Sequence, residues 1–248
     1  MRTGGSELWL VDLDLAAPVL RELESDLKLL GPADIARAQR LNDPRERRRR
    51  IAAYTALRIV LDRVLGSGIR GRDFVRTPSG KPRWERTQVD FSLAHSGGLA
   101  LIGLDRRHPI GVDLEAPRAA KPPQSAREKI MAAARGLARK PVPGSNPGDG
   151  DPAFVQAWSR LEAFAKVRGD GLARTLAALG VRGTRGRQKP VPAEIESIAR
   201  QNARQAGVRV HDLSLPRGYC GAIACAGPPP RVRPLPTGRD TLHRLLRR

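Results

Sequence analysis

The sequence predicts an α+β fold made of two similar α/β halves, each with helices packed on a small, mostly antiparallel sheet. In both halves of the chain, helical stretches are combined with short strand-like runs separated by Gly, Pro and charged turns. The run LALIGL followed by PIGVDLE in the first half is weakly echoed by VRVHDLSL followed by YCGAIACA in the second. These observations indicate a pseudo-two-fold relation, with a ligand site expected between the halves.

Changes in composition set the expected boundaries. Residues 1–117 form the N-terminal half, residues 118–227 form the C-terminal half, and residues 228–248 form a Pro-rich basic tail. A chain of 248 residues is long enough to bury a sizeable core in this arrangement.

The first half begins with alternating apolar and acidic residues that predict a strand from Trp9 to Leu15. Helices are then expected over 18–30 and 33–41. A longer helix follows, with Asp43 as its N-cap and Pro44 in its first turn, and it carries the run RERRRR. Four short strands, FVRT, VDFSLAHS, LALIGL and PIGVDLE, are expected to form an antiparallel meander.

The second half begins with helix-like sequence over 118–139 and a Pro/Gly-rich loop, KPVPGSNPGDGDP. A helix is expected from Asp151-Pro152 onward. Residues 174–190 look irregular and basic, and they include a basic insert over 182–190. The segment PAEIESIARQNARQ fits either a helix or a loop, and two strands end the half.

The charge balance limits the classes of partner. Lys and Arg number 45 against 25 Asp and Glu, a formal net charge of +20, so the chain attracts polyanions such as nucleic acids, phosphorylated small molecules or acidic proteins. Only four Phe, three Trp and two Tyr are present, which leaves few platforms for stacking bases. No nucleic-acid-binding motif, transmembrane run or signal peptide is visible, so we expect a cytoplasmic protein with no membrane contact.

Two acids stand at the end of an apolar strand in PIGVDLE. Asp113 and Glu115 are two residues apart, so both side chains project from one face. Carboxylates placed together in this way repel each other unless a cation or a proton lies between them, and Mg²⁺ commonly takes one or two protein carboxylates plus phosphates. The alternative is a solvated pair before a polar loop.

Further polar candidates lie in three other segments. Glu162 and Lys166 are four apart on a helix whose core stripe borders Glu162, although an ordinary surface ion pair has the same spacing. His95 lies where a strand meets the turn His-Ser-Gly-Gly, which suits an anion site or a purely structural histidine. Lys81 lies in the turn SGKP as either a rigidly presented cation or an ordinary surface lysine.

Taken in order, GKP, FSLAHSG, IGVDLE and WSRLEAFAKVRGDGL resemble the 4′-phosphopantetheinyl transferases, in particular the longer, monomeric, surfactin-synthetase-activating type. The resemblance covers roughly Arg45 to Leu172, and the ordered set is more specific than any one motif. It implies transfer of 4′-phosphopantetheine from coenzyme A to a serine of an acidic apo carrier protein, acyl or peptidyl, with release of 3′,5′-ADP. Such carriers serve fatty acid, polyketide or non-ribosomal peptide synthesis.

The resemblance also assigns residues. It implies Mg²⁺ ligation by Asp113, Glu115 and Glu162, with Asp113, Glu162 and Lys166 as the catalytic set. It implies contacts to coenzyme A from a second set of residues, namely Lys81, His95, Thr55, Arg50 and Arg58. The chain departs from the family at Ala94, where many relatives have a serine before the motif histidine.

Two other functions remain open from the sequence. One is a catalytically silent module that binds coenzyme A or a carrier protein, although all three acids and the lysine are present. The other is a basic nucleic-acid-binding protein, which only the net charge supports.

Overall fold

The computed structural model describes residues 5–85, 87–116, 122–143, 152–182 and 190–246. Within these ranges the chain forms eight α-helices and nine β-strands in a mixed α+β arrangement. The helices are α1 (Leu13–Leu27), α2 (Pro32–Gln39), α3 (Pro44–Leu65), α4 (Gln124–Ala138), α5 (Pro152–Arg168), α6 (Leu172–Ala178), α7 (Pro192–Gln205) and α8 (Arg239–Leu246). The strands are β1 (Glu7–Asp12), β2 (Val75–Arg76), β3 (Pro82–Arg83), β4 (Asp90–Ser96), β5 (Leu99–Asp105), β6 (Gly111–Glu115), β7 (Arg209–Asp212), β8 (Cys220–Cys225) and β9 (Val232–Pro234).

Two main sheets organise the molecule. The first has the strand order β4-β5-β1-β9, in which β9 runs parallel to β1 and the other pairs are antiparallel. The second is antiparallel with the order β6-β8-β7, and β2 and β3 form a separate short hairpin. Helices α1, α3 and α8 cover the first sheet, and α4, α5 and α7 cover the second.

A third apolar cluster joins the two sheets. Leu8 and Leu101 of the first sheet pack with Val112, Leu114 and Ile223 of the second. The order of layers therefore brings the strand with the two acids between the sheets, next to β4. The pseudo-two-fold relation between the halves stays a prediction.

The predicted meander is wrong at its first and last strands, because β2 of FVRT pairs with β3 in a separate hairpin and β6 pairs with β8 and not with β5. Both edges of β5 are already occupied by β1 and β4. Gly103 of β5 lies directly against Ile110 and Val112, and a Cβ atom at Gly103 would lie 2.7 Å from Val112 Cγ1. The chain therefore crosses the face of the first sheet and begins the second one.

Strands β4 and β6 are joined by side chains in place of a main-chain ladder. Asp90 Oδ2 accepts from Ile110 N at 2.9 Å, and Ser92 Oγ accepts from Val112 N at 3.1 Å. Ser96 Oγ accepts from the Ala116 amide at 2.9 Å. Each of these rungs joins residues 20 apart in sequence, so the two strands run alongside each other in a fixed register.

One rung of this series lacks an acceptor. Residue 94 is an alanine, and the Leu114 N–H lies opposite it on the same edge of β6 as the amides of residues 112 and 116. We expect Ala94→Ser to supply the missing acceptor and to raise the free energy of unfolding by about 1 kcal/mol. Urea denaturation tests this result, and a destabilised Ala94→Ser chain would contradict the proposed rung. Ala94→Cys, which adds a side chain of similar size that is only a weak acceptor, is the control.

The tail packs onto the N-terminal half. Strand β9 extends the first sheet beside β1, and Leu235, Leu242 and Leu246 join its core. Arg239 contacts Glu22 and Asp26 of α1 at 3.1 and 2.6 Å. Residues 228–246 are thus part of the first core layer, which their Pro-rich, basic composition did not indicate.

Other element boundaries shift for local reasons. The expected first strand ends early because Asp12 caps α1, accepting from Leu15 N at 2.9 Å, so Leu13 and Leu15 are helical. The predicted N-cap Asp43 is confirmed, since its carboxylate accepts from Arg45 N at 2.8 Å. Part of the stretch expected to be irregular forms α6, while most of the basic insert, residues 183–189, lies outside the described residues. No described helix combines the length and apolar character needed to cross a bilayer.

Candidate active site

A cleft of about 440 Å³ opens between the two halves. Its walls come from α3, the β2–β3 hairpin, β4, β6 and α5. Seven of the residues singled out from the sequence line it, namely Arg50, Lys81, His95, Asp113, Glu115, Glu162 and Lys166. The fold therefore brings together, in one cavity, side chains that are up to 116 positions apart in the sequence (Arg50 and Lys166).

At one end of the cleft, β6 and α5 place opposite charges in contact. Lys166 Nζ donates to Asp113 Oδ1 at 2.8 Å and to the Val112 carbonyl at 3.0 Å. The lysine therefore pairs across to the strand, and not along its own helix with Glu162 as the four-residue spacing allowed. The Asp113 side chain is only 4% exposed, so this ion pair lies in a largely desolvated site.

The close approach of β6 to α5 depends on Gly111. A Cβ atom at this position would lie 2.1 Å from the Ala163 carbonyl oxygen and 2.9 Å from Val167 N. The strand can lie against the helix backbone only because residue 111 has no side chain. This contact brings Asp113, two residues further along β6, within reach of Lys166.

Glu162 lies one turn before Lys166 and faces the same cavity. Its Oε1 accepts from Trp158 Nε1 at 2.8 Å. Burial raises the pKa of Glu162 above its ordinary value, and the nearby Asp113 and Glu115 carboxylates raise it further, while Lys166 opposes them. Glu162 therefore has a greater affinity for a proton than an exposed glutamate has.

The acids meet part of what a divalent cation requires. Asp113 Oδ2 is buried without a hydrogen-bond partner among the described residues, so one carboxylate oxygen is free in a site that water barely reaches. Glu115 Oε2 accepts a long hydrogen bond, 3.4 Å, from Ser96 Oγ. In the described part of the chain, no three His, Cys, Asp or Glu side chains lie close enough together to form a complete metal site. An ion here would take its other ligands from a bound phosphate and water.

A second part of the cleft wall, called its basic end, carries guanidinium groups. Arg50 and Tyr54 enter it from α3, and Arg76 enters from β2. Arg76 donates to the Gly80 carbonyl at 2.8 Å and lies 3.6 Å from Asp34. Burial is the main reason that the pKa of Arg76 is lowered, and Arg37 lowers it further. This concentration of guanidinium groups suits a bidentate anion such as a phosphate.

His95 lies between the two ends, on β4. The pKa of His95 is lowered to about 4, chiefly by burial and also by the cations Arg50 and Lys166, while Glu46 has the opposite effect. At neutral pH the imidazole is therefore uncharged, and it offers one donor and one acceptor.

The lowered pKa of His95 predicts that the stability of the fold depends on pH. An unfolded His95 titrates near its ordinary value of 6.5, so the unfolded chain binds a proton that the folded chain excludes until about pH 4. Stability is therefore unaffected by this group above pH 6.5, and it falls between pH 6.5 and 4 by at most about 3 kcal/mol. Chemical denaturation across this range should show a shallower decline for His95→Gln than for the unaltered chain. His108→Gln, at an exposed histidine, is the control, and equal slopes for both variants would contradict the assignment.

Two residues assigned to coenzyme A from the resemblance do not line the cleft. Arg58 is fully buried, donates to Asp34 at 2.5 Å and to the Ile69 carbonyl at 2.9 Å, and lies over the Phe74 ring. Thr55 is also fully buried, and its hydroxyl has no hydrogen-bond partner among the described residues. Arg58 lies one turn after the cleft-lining Tyr54, behind Asp34 and Phe74 of the cleft wall.

Three residues that contribute to the site were not predicted from the sequence. Arg76 lies five residues before the lysine of GKP, and Asp34 lies in α2, far from every quoted motif. Trp158 was assigned only to the core, although its ring nitrogen holds Glu162. The four-residue spacing of Trp158 and Glu162 is a signal that would have revealed this contact.

Comparison with known proteins gives two relatives and no family-model match. The chain is 32% identical over 172 residues to a putative 4′-phosphopantetheinyl transferase of Synechocystis sp., covering 67% of this chain and 65% of that protein. It is 29% identical over 171 residues to the 4′-phosphopantetheinyl transferase HetI of Nostoc sp., covering 67% of this chain and 70% of that protein. The match thus spans somewhat less than two thirds of the first relative's length.

Proposed function

Because the chain belongs to the 4′-phosphopantetheinyl transferase superfamily, we propose that it moves 4′-phosphopantetheine from coenzyme A to a serine of an apo carrier protein and releases 3′,5′-ADP. The single observation that supports this activity best is the cleft with an acidic end and a basic end. Coenzyme A carries phosphates along its length, and phosphoryl transfer depends mostly on positioning and charge stabilisation.

The acidic end would hold Mg²⁺. Asp113, through its unpartnered Oδ2, would bind the ion, and Glu115 and Glu162, which line the same cleft without forming a three-ligand cluster with Asp113, would join it when their side chains turn toward the ion. When bound, the ion neutralises charge on the diphosphate of coenzyme A. The buried, hydrogen-bond-free oxygen of Asp113 is the observation that fits a cation at this place.

The protein side chains divide the reaction between them. The serine Oγ of the carrier attacks the β-phosphorus of coenzyme A, and the bond from that phosphorus to the bridging oxygen breaks. Glu162, whose pKa is raised chiefly by burial, accepts the serine proton. Lys166 lies on the same side of α5 as Glu162 and is held there by its bond to Asp113 of β6. It stabilises the phosphate oxygen that leaves with 3′,5′-ADP.

The basic end would bind the nucleotide part of the coenzyme. Arg50 and Arg76 supply guanidinium groups there, and the neutral His95 supplies a hydrogen bond. Thr55 and Arg58 would contribute by supporting the inner side of α3, since neither lines the cleft. An acidic carrier protein is the expected partner, because the chain carries a formal net charge of +20. The monomeric state and the cytoplasmic setting stay predictions.

Intact-mass spectrometry tests the activity directly. An apo acyl or peptidyl carrier protein is incubated with this chain, coenzyme A and Mg²⁺, and EDTA is added to a parallel sample. A mass gain of one phosphopantetheine that disappears with EDTA would support both the transfer and the metal. Coenzyme A binding without a mass gain on any carrier would favour a silent binding module, and the absence of both would overturn the proposal.

A further inference from the structure

We propose that Lys81 is a positioning residue and not the cation that contacts the coenzyme: its ammonium group clamps the β2–β3 hairpin onto the start of the acid-bearing strand β6. The ligand named here rests on the proposed function, whereas the clamp itself is a property of the fold. The inference departs from the role that the family resemblance implies for the lysine of GKP.

The contacts of Lys81 form a closed triangle. Its Nζ donates to Asp90 Oδ2 at 2.6 Å and to the Ile110 carbonyl at 3.1 Å. The third side is the bond from Ile110 N to the same Asp90 oxygen, at 2.9 Å. Two of the three ammonium donors are therefore used within the protein, and both acceptors belong to elements outside the hairpin.

Burial leaves Lys81 little to offer a ligand. Its side chain is only 6% exposed, and that of Asp90 is 16% exposed. Desolvation lowers the pKa of Lys81, and the Asp90 carboxylate opposes this effect. Lys81 lines the cleft next to Pro82, but its ammonium group donates to acceptors within the protein.

The clamp joins elements that carry other site residues. Ile110 lies three residues before Asp113, so fixing its carbonyl fixes the start of the strand that holds the acids. The hairpin carries Arg76, which is bound to the Gly80 carbonyl, and Ser79, which donates to the Gly169 carbonyl at 2.5 Å. Release of Lys81 would therefore loosen the cleft wall that presents Arg76.

The charges of the triangle provide a test that separates positioning from ligand contact. Lys81→Met removes the cation and leaves the Asp90 carboxylate buried without its partner, which is destabilising. Asp90→Asn then removes that unpaired charge, while the asparagine oxygen still accepts from Ile110 N. In the double variant the site is neutral and the rung between β4 and β6 is kept.

The experiment measures the melting temperature and the coenzyme A Kd, by calorimetry, for four proteins: the unaltered chain, Lys81→Met, Asp90→Asn and the double variant. We expect Lys81→Met to lower the melting temperature by about 5 °C or more and to raise Kd by about tenfold or more. We expect Asp90→Asn, which keeps the Lys81 cation but weakens its hold on β4, to raise Kd nearly as much as Lys81→Met does, and the double variant to bind no more weakly than either single variant. Lys140→Met, at an exposed lysine outside the cleft, is the matched control for lost charge.

Each outcome decides one question. Similar losses of coenzyme A affinity in Asp90→Asn, Lys81→Met and the double variant would support positioning, because Asp90 does not line the cleft and can affect the ligand only through its contacts. An Asp90→Asn chain that binds coenzyme A as tightly as the unaltered chain, beside a Lys81→Met chain that binds it weakly, would overturn the inference. If the unaltered chain binds no coenzyme A, the proposed function fails, and the melting temperatures alone then decide whether the clamp exists: a double variant no less stable than the single variants shows that the two residues act as a unit.

Discussion

Asp113→Asn is expected to slow phosphopantetheine transfer on the order of a thousandfold while leaving the fold intact. Asparagine has the size of aspartate and keeps an oxygen that can accept from Lys166. It replaces the unpartnered Oδ2 by a donor NH₂ group, which removes the charge and the lone pairs that a cation needs. The measurement is the initial rate of mass gain on the carrier protein, with the melting temperature recorded in parallel.

A matched control is available close by. Asp170 follows the end of α5, is 42% exposed and pairs with Arg168 outside the cleft. Asp170→Asn should transfer at the unaltered rate. An Asp113→Asn protein that retains activity within about threefold would remove Asp113 from the catalytic set, and one that no longer unfolds cooperatively would show a structural role.

Deletion of residues 228–248 is expected to abolish stable folding of the N-terminal half. The deletion strips the first core of three buried leucines, Leu235, Leu242 and Leu246, and exposes the edge of β1 that β9 now covers. Each leucine contributes about 1.5–3 kcal/mol by burial, so the total rivals the whole stability of a typical domain. Soluble yield and urea denaturation measure the effect.

Point variants separate the effect of one buried leucine from the effect of deleting the whole tail. Leu242→Ala should lower the free energy of unfolding by about 3 kcal/mol, since Leu242 is fully buried against the first core. Arg244→Ala, on the exposed side of the same helix, should change it little. A shortened chain that unfolds at the same urea concentration as the full one would contradict the role given to the tail.

Much of the architecture could be predicted because it rests on local signals. Asp43 and Pro44 mark the start of α3 by capping chemistry, and the alternating residues of β4 mark a half-buried strand. The two-residue spacing of Asp113 and Glu115 predicted that both acids share one face, and both line one cavity. These inferences needed only periodicity and spacing within single elements, whereas a site shared with Glu162 and Lys166 of α5 was implied by the family resemblance.

The remaining features depend on contacts between distant segments. The partner of β6 was predicted wrongly because strand order depends on which strand edges are already paired. A short run such as LALIGL does not contain this information. The same limit applies to the tail, whose leucines contribute to a core formed by α1 and α3. The burial of Arg58 behind the cleft wall, while Arg50 lines the cleft, also depends on Asp34, which belongs to another helix.

Gly111 has a consequence for the precision of the site. Because the β6 backbone touches the α5 backbone there, main-chain contact sets the distance between the two backbones that carry Asp113 and Lys166. Any side chain at this position would act as a wedge between strand and helix, moving both acids away from the lysine at once. The contact between β6 and α5 therefore leaves no room for even one methyl group at position 111.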